Sequence, residues 1–143
     1  MVRLRGFTLV ELMITLALCL LSAGLGLGHL SRAVDLWRLQ TAAQMVSSEL
    51  TRLRAVAVST GAPTRFVVEA SGNAFSAVGL GTGPGQYIPL PKGIQFGSVP
   101  SRPVTFYSRG QAAPAGTLVL EGVRGRVRVV VAPMGRVRWQ WDD

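Results

Sequence analysis

The chain has 143 residues, a length that suits one domain or a membrane anchor with a small domain, but not two independent hydrophobic cores. Fifteen Lys and Arg residues against seven Asp and Glu give a net charge of +8, yet charged residues make up only 15% of the chain. This fraction lies well below the roughly 25% of soluble domains, so the composition indicates a membrane-embedded segment and excludes a disordered chain.

The residue types that usually perform catalysis or bind cofactors are scarce. Cys19 is the only cysteine and His29 the only histidine, which excludes an internal disulfide and leaves too few ligands for structural zinc or haem. Because the histidine lies at the end of an apolar run, no Ser-His-Asp or Cys-His arrangement is predicted. We predict a protein that is not an enzyme and has no cofactor or metal.

The first predicted element is an apolar transmembrane helix over residues 7–30. At 1.5 Å per residue it would be about 36 Å long, which is enough to cross a bilayer. Residues 1–6 form a leader in which Arg3 and Arg5 are expected to hold that end in the cytoplasm, by the positive-inside rule. We therefore expect a single-pass protein of the inner membrane with a periplasmic C-terminal domain.

One carboxylate, that of Glu11, lies inside this apolar run. It costs roughly 2.5–3.5 kcal/mol at membrane depth unless it is paired. A secretory signal has a shorter apolar core and a cleavage site after it. A lipoprotein signal needs a small residue before the cysteine, where this chain has Leu18 before Cys19. A plain signal anchor fits the hydropathy but gives no reason for Glu11.

The residues around this carboxylate carry a resemblance. A basic leader ending in glycine and continuing as Gly6-Phe7-Thr8-Leu9-Val10-Glu11-Leu12 resembles the class III signal of type IV pilins and type II secretion pseudopilins. The resemblance implies cleavage after Gly6 by prepilin peptidase, N-methylation of Phe7, and assembly with other pilins or pseudopilins. It also implies that Glu11 pairs with the terminal amine of a neighbouring subunit, as a buried carboxylate requires.

Beyond the apolar run, an amphipathic pattern predicts that the helix continues over residues 31–60. Apolar residues recur at spacings close to three and four, and Gly61 followed by Pro63 is a common helix stop. The predicted apolar face comprises Leu30, Val34, Trp37, Met45, Val46, Leu50, Leu53 and Ala57. Arg52 and Arg54 are interpreted as part of a solvated face.

Residues 61–143 are predicted to form a periplasmic β-rich domain. Short β-like runs separated by Gly and Pro signals fill this region. The predicted strands cover residues 65–69, 74–78, 87–90, 93–96, 104–108, 117–121, 126–131 and 136–141. The fold class is therefore α+β, with a long N-terminal helix packed on a small antiparallel β-sheet or sandwich.

The last two runs predict a β-hairpin. Pro133 suits the second position of a type I turn, and Gly135 suits the left-handed position that closes a three-residue loop. Ala132 then lies opposite Arg136, and one face of the ribbon carries Arg126, Arg128, Arg136 and Arg138. A two-residue loop would instead place the two arginine pairs on opposite faces.

These four guanidiniums are candidate DNA-binding groups. Like charges on one face repel each other, and a bound polyanion would relieve them by accepting an arginine at each phosphate. An acidic patch on a partner protein would satisfy the same electrostatics. The alternative that the arginines only solvate the outer face of a sheet stays open, and Asp142 and Asp143 lower the local positive potential.

The whole chain resembles the GspH/FimT family of minor pseudopilins. The resemblance runs from the class III signal through Phe106-Tyr107-Ser108-Arg109-Gly110 to Gly135-Arg136-Val137-Arg138. It implies a subunit of a type II secretion pseudopilus or type IV pilus. Members resembling FimT bind DNA in natural transformation through a Gly-Arg-x-Arg ending, which falls here on Arg136 and Arg138. The alternatives are thus a DNA-binding minor pilin or a signal-anchored periplasmic domain without a filament.

Overall fold

The structure is a computed structural model that describes residues 8–79 and 85–142, without the side chains of residue 23 and residues 25–31. Gly6 and Phe7, which form the predicted processing site, lie outside the described residues. The chain divides into two compact units between Val34 and Asp35.

The N-terminal element is helix α1, Leu9–Thr60. Its first turn is capped by Thr8, whose Oγ1 accepts a hydrogen bond of 3.2 Å from the backbone N–H of Glu11. The helix ends at Gly61, whose φ of 69° is the left-handed conformation that commonly terminates helices. Among the described residues, no helical stretch combines the length and the apolarity that crossing a membrane requires.

In the described part of the chain, nine strands follow α1 and pair in an antiparallel manner. They are β1 (Thr64–Val68), β2 (Ala74–Gly79), β3 (Ile88–Pro89), β4 (Gln95–Ser98), β5 (Val104–Phe106), β6 (Ala112–Ala113), β7 (Gly116–Gly122), β8 (Gly125–Val131) and β9 (Val137–Asp142). A five-stranded sheet has the order β3-β2-β1-β5-β6, and a four-stranded sheet has the order β4-β7-β8-β9. The predicted α+β class is confirmed.

One short strand, β6, was not predicted. Its two alanines carry no alternating pattern, and they pair with Thr105 and Phe106 of β5. The predicted strand over residues 104–108 is also too long. It ends at Phe106 because Tyr107 begins a turn in which its carbonyl accepts a hydrogen bond of 2.8 Å from the N–H of Gly110.

The hydrophobic core of the second unit lies between α1 and the two sheets. Three phenylalanines from different strands meet there: the ring centroids of Phe66 and Phe75 are 5.1 Å apart, and that of Phe96 lies 6.3 and 6.4 Å from them. Such aromatic contacts add to the stabilisation that comes from burial. The helix contributes Leu39, Ala42, Ala43, Val46, Leu50, Leu53 and Ala57.

The predicted apolar face of the helix is right at its C-terminal end and wrong at Val34 and Trp37, while the side chain of Leu30 lies outside those that the structure describes. Val34 and Trp37 are exposed, Trp37 by 67%. Among the described side chains of the helix, the first that is buried is that of Leu39, which lies beside Gly122 at the end of β7 and Gly125 at the start of β8. The helical periodicity thus predicts burial of Trp37, but its side chain is exposed.

Candidate assembly site and arginine hairpin

The first turns of α1 expose a continuous apolar surface. All the large apolar side chains between Leu9 and Leu21 are exposed, each by more than half of its area: Leu9, Val10, Leu12, Met13, Ile14, Leu16, Leu18, Leu20 and Leu21. An apolar patch of this extent marks a surface that contacts lipid or other proteins. We call this stretch the apolar segment.

Glu11 is the acidic residue of this apolar segment. Its backbone is held by the cap at Thr8, but its side chain is exposed and has no hydrogen bond or ion pair among the described residues. A carboxylate in the first turn is also favoured by the positive end of the helix dipole. The structure thus leaves this carboxylate available to a group from outside the described chain.

The predicted hairpin and its register are confirmed. Ala132 donates a hydrogen bond of 2.9 Å to the carbonyl of Arg136, and Gly135 has the expected positive φ of 74°. Val130 lies opposite Arg138, and Arg128 lies opposite Gln140. Three β8 side chains face the core from the other side of the ribbon: Val127, Val129 and Val131.

Two of the four hairpin arginines form ion pairs with carboxylates, and one of these carboxylates is Asp142, which was expected to lower the local positive potential. The Nε of Arg126 lies 3.0 Å from a carboxylate oxygen of Glu121 on β7. Arg128 forms an ion pair through Nη2 with Asp142, at the end of β9. Arg136 and Arg138 are both exposed, and neither has a carboxylate partner among the described residues. Uncompensated charge is therefore confined to the second half of the hairpin.

The tip of the hairpin is fixed by the turn between β5 and β6 and by the helix. The N–H of Ala112 donates a hydrogen bond of 2.9 Å to the carbonyl of Pro133. Arg54 of α1 donates from Nε to the carbonyl of Gly110 at 3.2 Å. A Cβ added to Gly135 would collide with that same carbonyl oxygen. The two glycine-containing motifs of the sequence, around Gly110 and Gly135, are thus in contact.

Arg54 is a positioning residue that the sequence did not reveal, since its spacing suggested only a solvated face. The register of β7 against β8 does contain a signal for the Glu121 pairing. Gly122 and Gly125 bound a two-residue turn, which sets Glu121 opposite Arg126. Arg52, by contrast, lies on the exposed face as predicted, and the hydrogen-bonded carboxylate of Glu49 raises the pKa of its guanidinium.

Two similarities cover parts of the sequence. Residues 1–27 match the family described as the prokaryotic N-terminal methylation motif. Type II secretion system protein H of Xanthomonas campestris pv. campestris is 31% identical over 77 residues, which are 54% of this chain and 46% of that protein. The chain therefore matches about half the length of this relative.

Two solved structures share the fold. The minor pseudopilin EpsH from the type 2 secretion system of Vibrio cholerae superimposes with a TM-score of 0.61 at 16% identity, over 73% of this chain and 97% of that one. The type IV minor pilin FimU of Pseudomonas aeruginosa gives a TM-score of 0.57 at 20% identity, over 71% and 92%. At these identities the likeness establishes the fold alone.

The fold of the described residues is pilin-like, and residues 1–27 match the N-terminal methylation motif. Within this fold, the chain is similar to type II secretion system protein H in sequence and to the minor pseudopilin EpsH and the minor pilin FimU in structure. The resemblance found in the sequence is confirmed.

Proposed function

We propose that the protein is a minor subunit of a type II secretion pseudopilus or a type IV pilus, which prepilin peptidase cleaves after Gly6. The observation that carries this proposal is the coincidence of the methylation motif over residues 1–27 with an exposed apolar segment that contains an unpaired carboxylate. Leu9 to Leu21 contact lipid before assembly and the helices of neighbouring subunits afterwards. The protein is accordingly anchored in the inner membrane until it is assembled.

Glu11 has an electrostatic role in this proposal. Cleavage after Gly6 creates a free amine at Phe7, and every subunit that enters the filament carries one. Moving a charged group out of water costs free energy. This cost is smaller for a carboxylate and an ammonium group that are buried as a pair than for the two groups buried separately, because each compensates the charge of the other. The carboxylate of Glu11 on one subunit pairs with the amine of its neighbour and thereby fixes the axial position of the incoming helix.

The experiment compares Glu11→Ala with the matched control Glu69→Ala in cells that assemble the filament. Glu69 is another exposed glutamate, and it interacts with the nearby Ser71 hydroxyl, so its loss removes the same charge outside the apolar segment. We expect Glu11→Ala to be cleaved normally but to lose co-purification with the other pilins, while Glu69→Ala retains it. Normal co-purification of Glu11→Ala would refute the proposed pairing.

A second candidate function, capture of DNA, rests on Arg136 and Arg138. These exposed arginines share one face and have no carboxylate partner among the described residues. None of the relatives described above has a name that refers to DNA, which leaves the structural role favoured. The test is fluorescence anisotropy of the full chain in detergent with labelled duplex DNA.

DNA capture predicts salt-sensitive binding that is lost in Arg136→Gln/Arg138→Gln, because each phosphate contact releases counterions. The control variant Arg38→Gln/Lys92→Gln removes two exposed cations elsewhere, so it should bind as the parent does. Absence of binding at low salt, or equal loss in both variants, would eliminate a specific DNA site on the hairpin.

A further inference from the structure

The five-stranded sheet carries an open cleft of about 460 Å³ on its outer surface. Strand register brings its walls together: Arg65 of β1 pairs with Thr105 of β5, which in turn pairs with Ala113 of β6. Thr105 is the most buried of the lining residues and forms the floor. Arg102, Tyr107 and two prolines, Pro103 and Pro114, complete the lining.

The cleft is cationic. Arg65 and Arg102 both line it, and within the described residues neither has a hydrogen bond or ion pair with a carboxylate. Guanidinium groups bind carboxylates through paired, charge-assisted hydrogen bonds, which are about twice as strong as neutral ones. Two arginines at one concave surface therefore favour an anionic group that enters from solvent.

Most of the described carboxylates of the second unit are already paired with arginines of the same chain. In the described part of the second unit, four of them already form ion pairs with arginines: Asp35 with Arg124, Glu49 with Arg52, Glu121 with Arg126, and Asp142 with Arg128. The remaining described carboxylate of this unit, that of Glu69, accepts a hydrogen bond of 2.8 Å from the Ser71 hydroxyl. A second copy of this domain would therefore offer the cleft one isolated carboxylate unless it broke one of these pairs. This makes a different protein the better source of the anionic group.

We propose that this cleft binds an acidic segment of another protein, with one carboxylate held between Arg65 and Arg102. The shape favours a protein over a nucleic acid. A polyanion needs a row of cations that follows its backbone, whereas here two cations face one cavity. Tyr107 and the prolines give the cleft apolar walls, which suit the methylene groups and apolar neighbours of a glutamate side chain. The site does not depend on how the N-terminal helix assembles.

The test measures binding of a fluorescein-labelled oligoglutamate peptide to the full chain in detergent micelles, by anisotropy at low and moderate salt. The matching oligoglutamine peptide is the ligand control. Arg65→Gln/Arg102→Gln removes both cations of the cleft, and Arg136→Gln/Arg138→Gln removes the same charge from the hairpin. Arg65→Lys/Arg102→Lys keeps the charge but not the bidentate geometry. Urea denaturation of each variant verifies that it folds.

We expect the oligoglutamate affinity to fall about tenfold or more in Arg65→Gln/Arg102→Gln, less in the lysine variant, and about twofold at most in the hairpin variant. Equal loss in the cleft and hairpin variants would show a general charge effect and overturn the proposal. Unchanged binding in the cleft variant would do the same. Labelled single-stranded DNA is measured with the same variants. If the cleft variant alone loses DNA binding and still binds the oligoglutamate peptide as the parent does, the cleft is a nucleic-acid site instead.

Discussion

Replacing Gly135 by alanine tests the contact that fixes the tip of the arginine hairpin. Gly135 has a φ of 74°, and a Cβ at this position would overlap the carbonyl oxygen of Gly110 and lie 2.9 Å from Nε of Arg54. Neither neighbour can yield freely, because the Gly110 carbonyl is backbone and Arg54 is hydrogen-bonded to it at 3.2 Å. The substitution must therefore move the turn between β5 and β6 away from the hairpin.

The expected cost has two parts. A non-glycine residue in the left-handed conformation costs about 1–2 kcal/mol. Displacing the turn weakens or breaks two hydrogen bonds, from Arg54 to Gly110 and from Ala112 to Pro133. Each contributes about 0.5–1.5 kcal/mol to stability. The variant Gly135→Ala should lower the free energy of unfolding by about 2–5 kcal/mol in total.

Gly61→Ala is the matched control. Gly61 also has a positive φ, of 69°, but a Cβ there would have no neighbour within 4 Å. This variant should lose only the conformational part, about 1–2 kcal/mol. The assay is urea denaturation followed by tryptophan fluorescence, which Trp139 and Trp141 report from β9. If Gly135→Ala costs no more than Gly61→Ala, the hairpin tip is not held by its contact with Gly110.

Three further variants test the core and the ion pairs by the same denaturation assay. Phe75→Ala empties a fully buried site and should cost about 3–5 kcal/mol, so a loss below about 1 kcal/mol would contradict the packing of the three phenylalanines. Asp142→Asn leaves Arg128, whose Nε is buried and has no hydrogen-bond partner, without its carboxylate, and should cost about 1 kcal/mol. Arg124→Gln breaks an exposed pair and should change stability by less than about 1 kcal/mol, whereas a larger loss would show that this pair anchors the turn after β7.

The features that could be predicted from the sequence depend on residues that are close together in the chain. The length of α1 and its end at Gly61 follow from helical periodicity and from a glycine that adopts a left-handed conformation. The hairpin register follows from the turn chemistry of Pro133 and Gly135. Each of these features depends on residues that are close in sequence, and for that reason no knowledge of the sheet order was needed.

The features that were missed depend on contacts between distant residues. Arg54 meets Gly110 across 56 positions, and its helical spacing gives no hint of that hydrogen bond. Arg65 and Arg102 share a cleft because β1 pairs with β5, an order that local patterns do not specify. Trp37 illustrates the opposite case: its position fits the helical period, but its side chain is exposed, and Leu39 is the first of the described helix side chains that is buried.

The most direct test of the central claim is the intact mass of the protein isolated from inner membranes that contain prepilin peptidase. We predict a chain that begins at Phe7 and carries one methyl group on its amine, and a Gly6→Val variant that keeps all six leader residues. A parent chain that still begins at Met1, or a Gly6→Val variant that is shortened at the same bond, would contradict it. Either result would instead favour a signal-anchored domain without a filament.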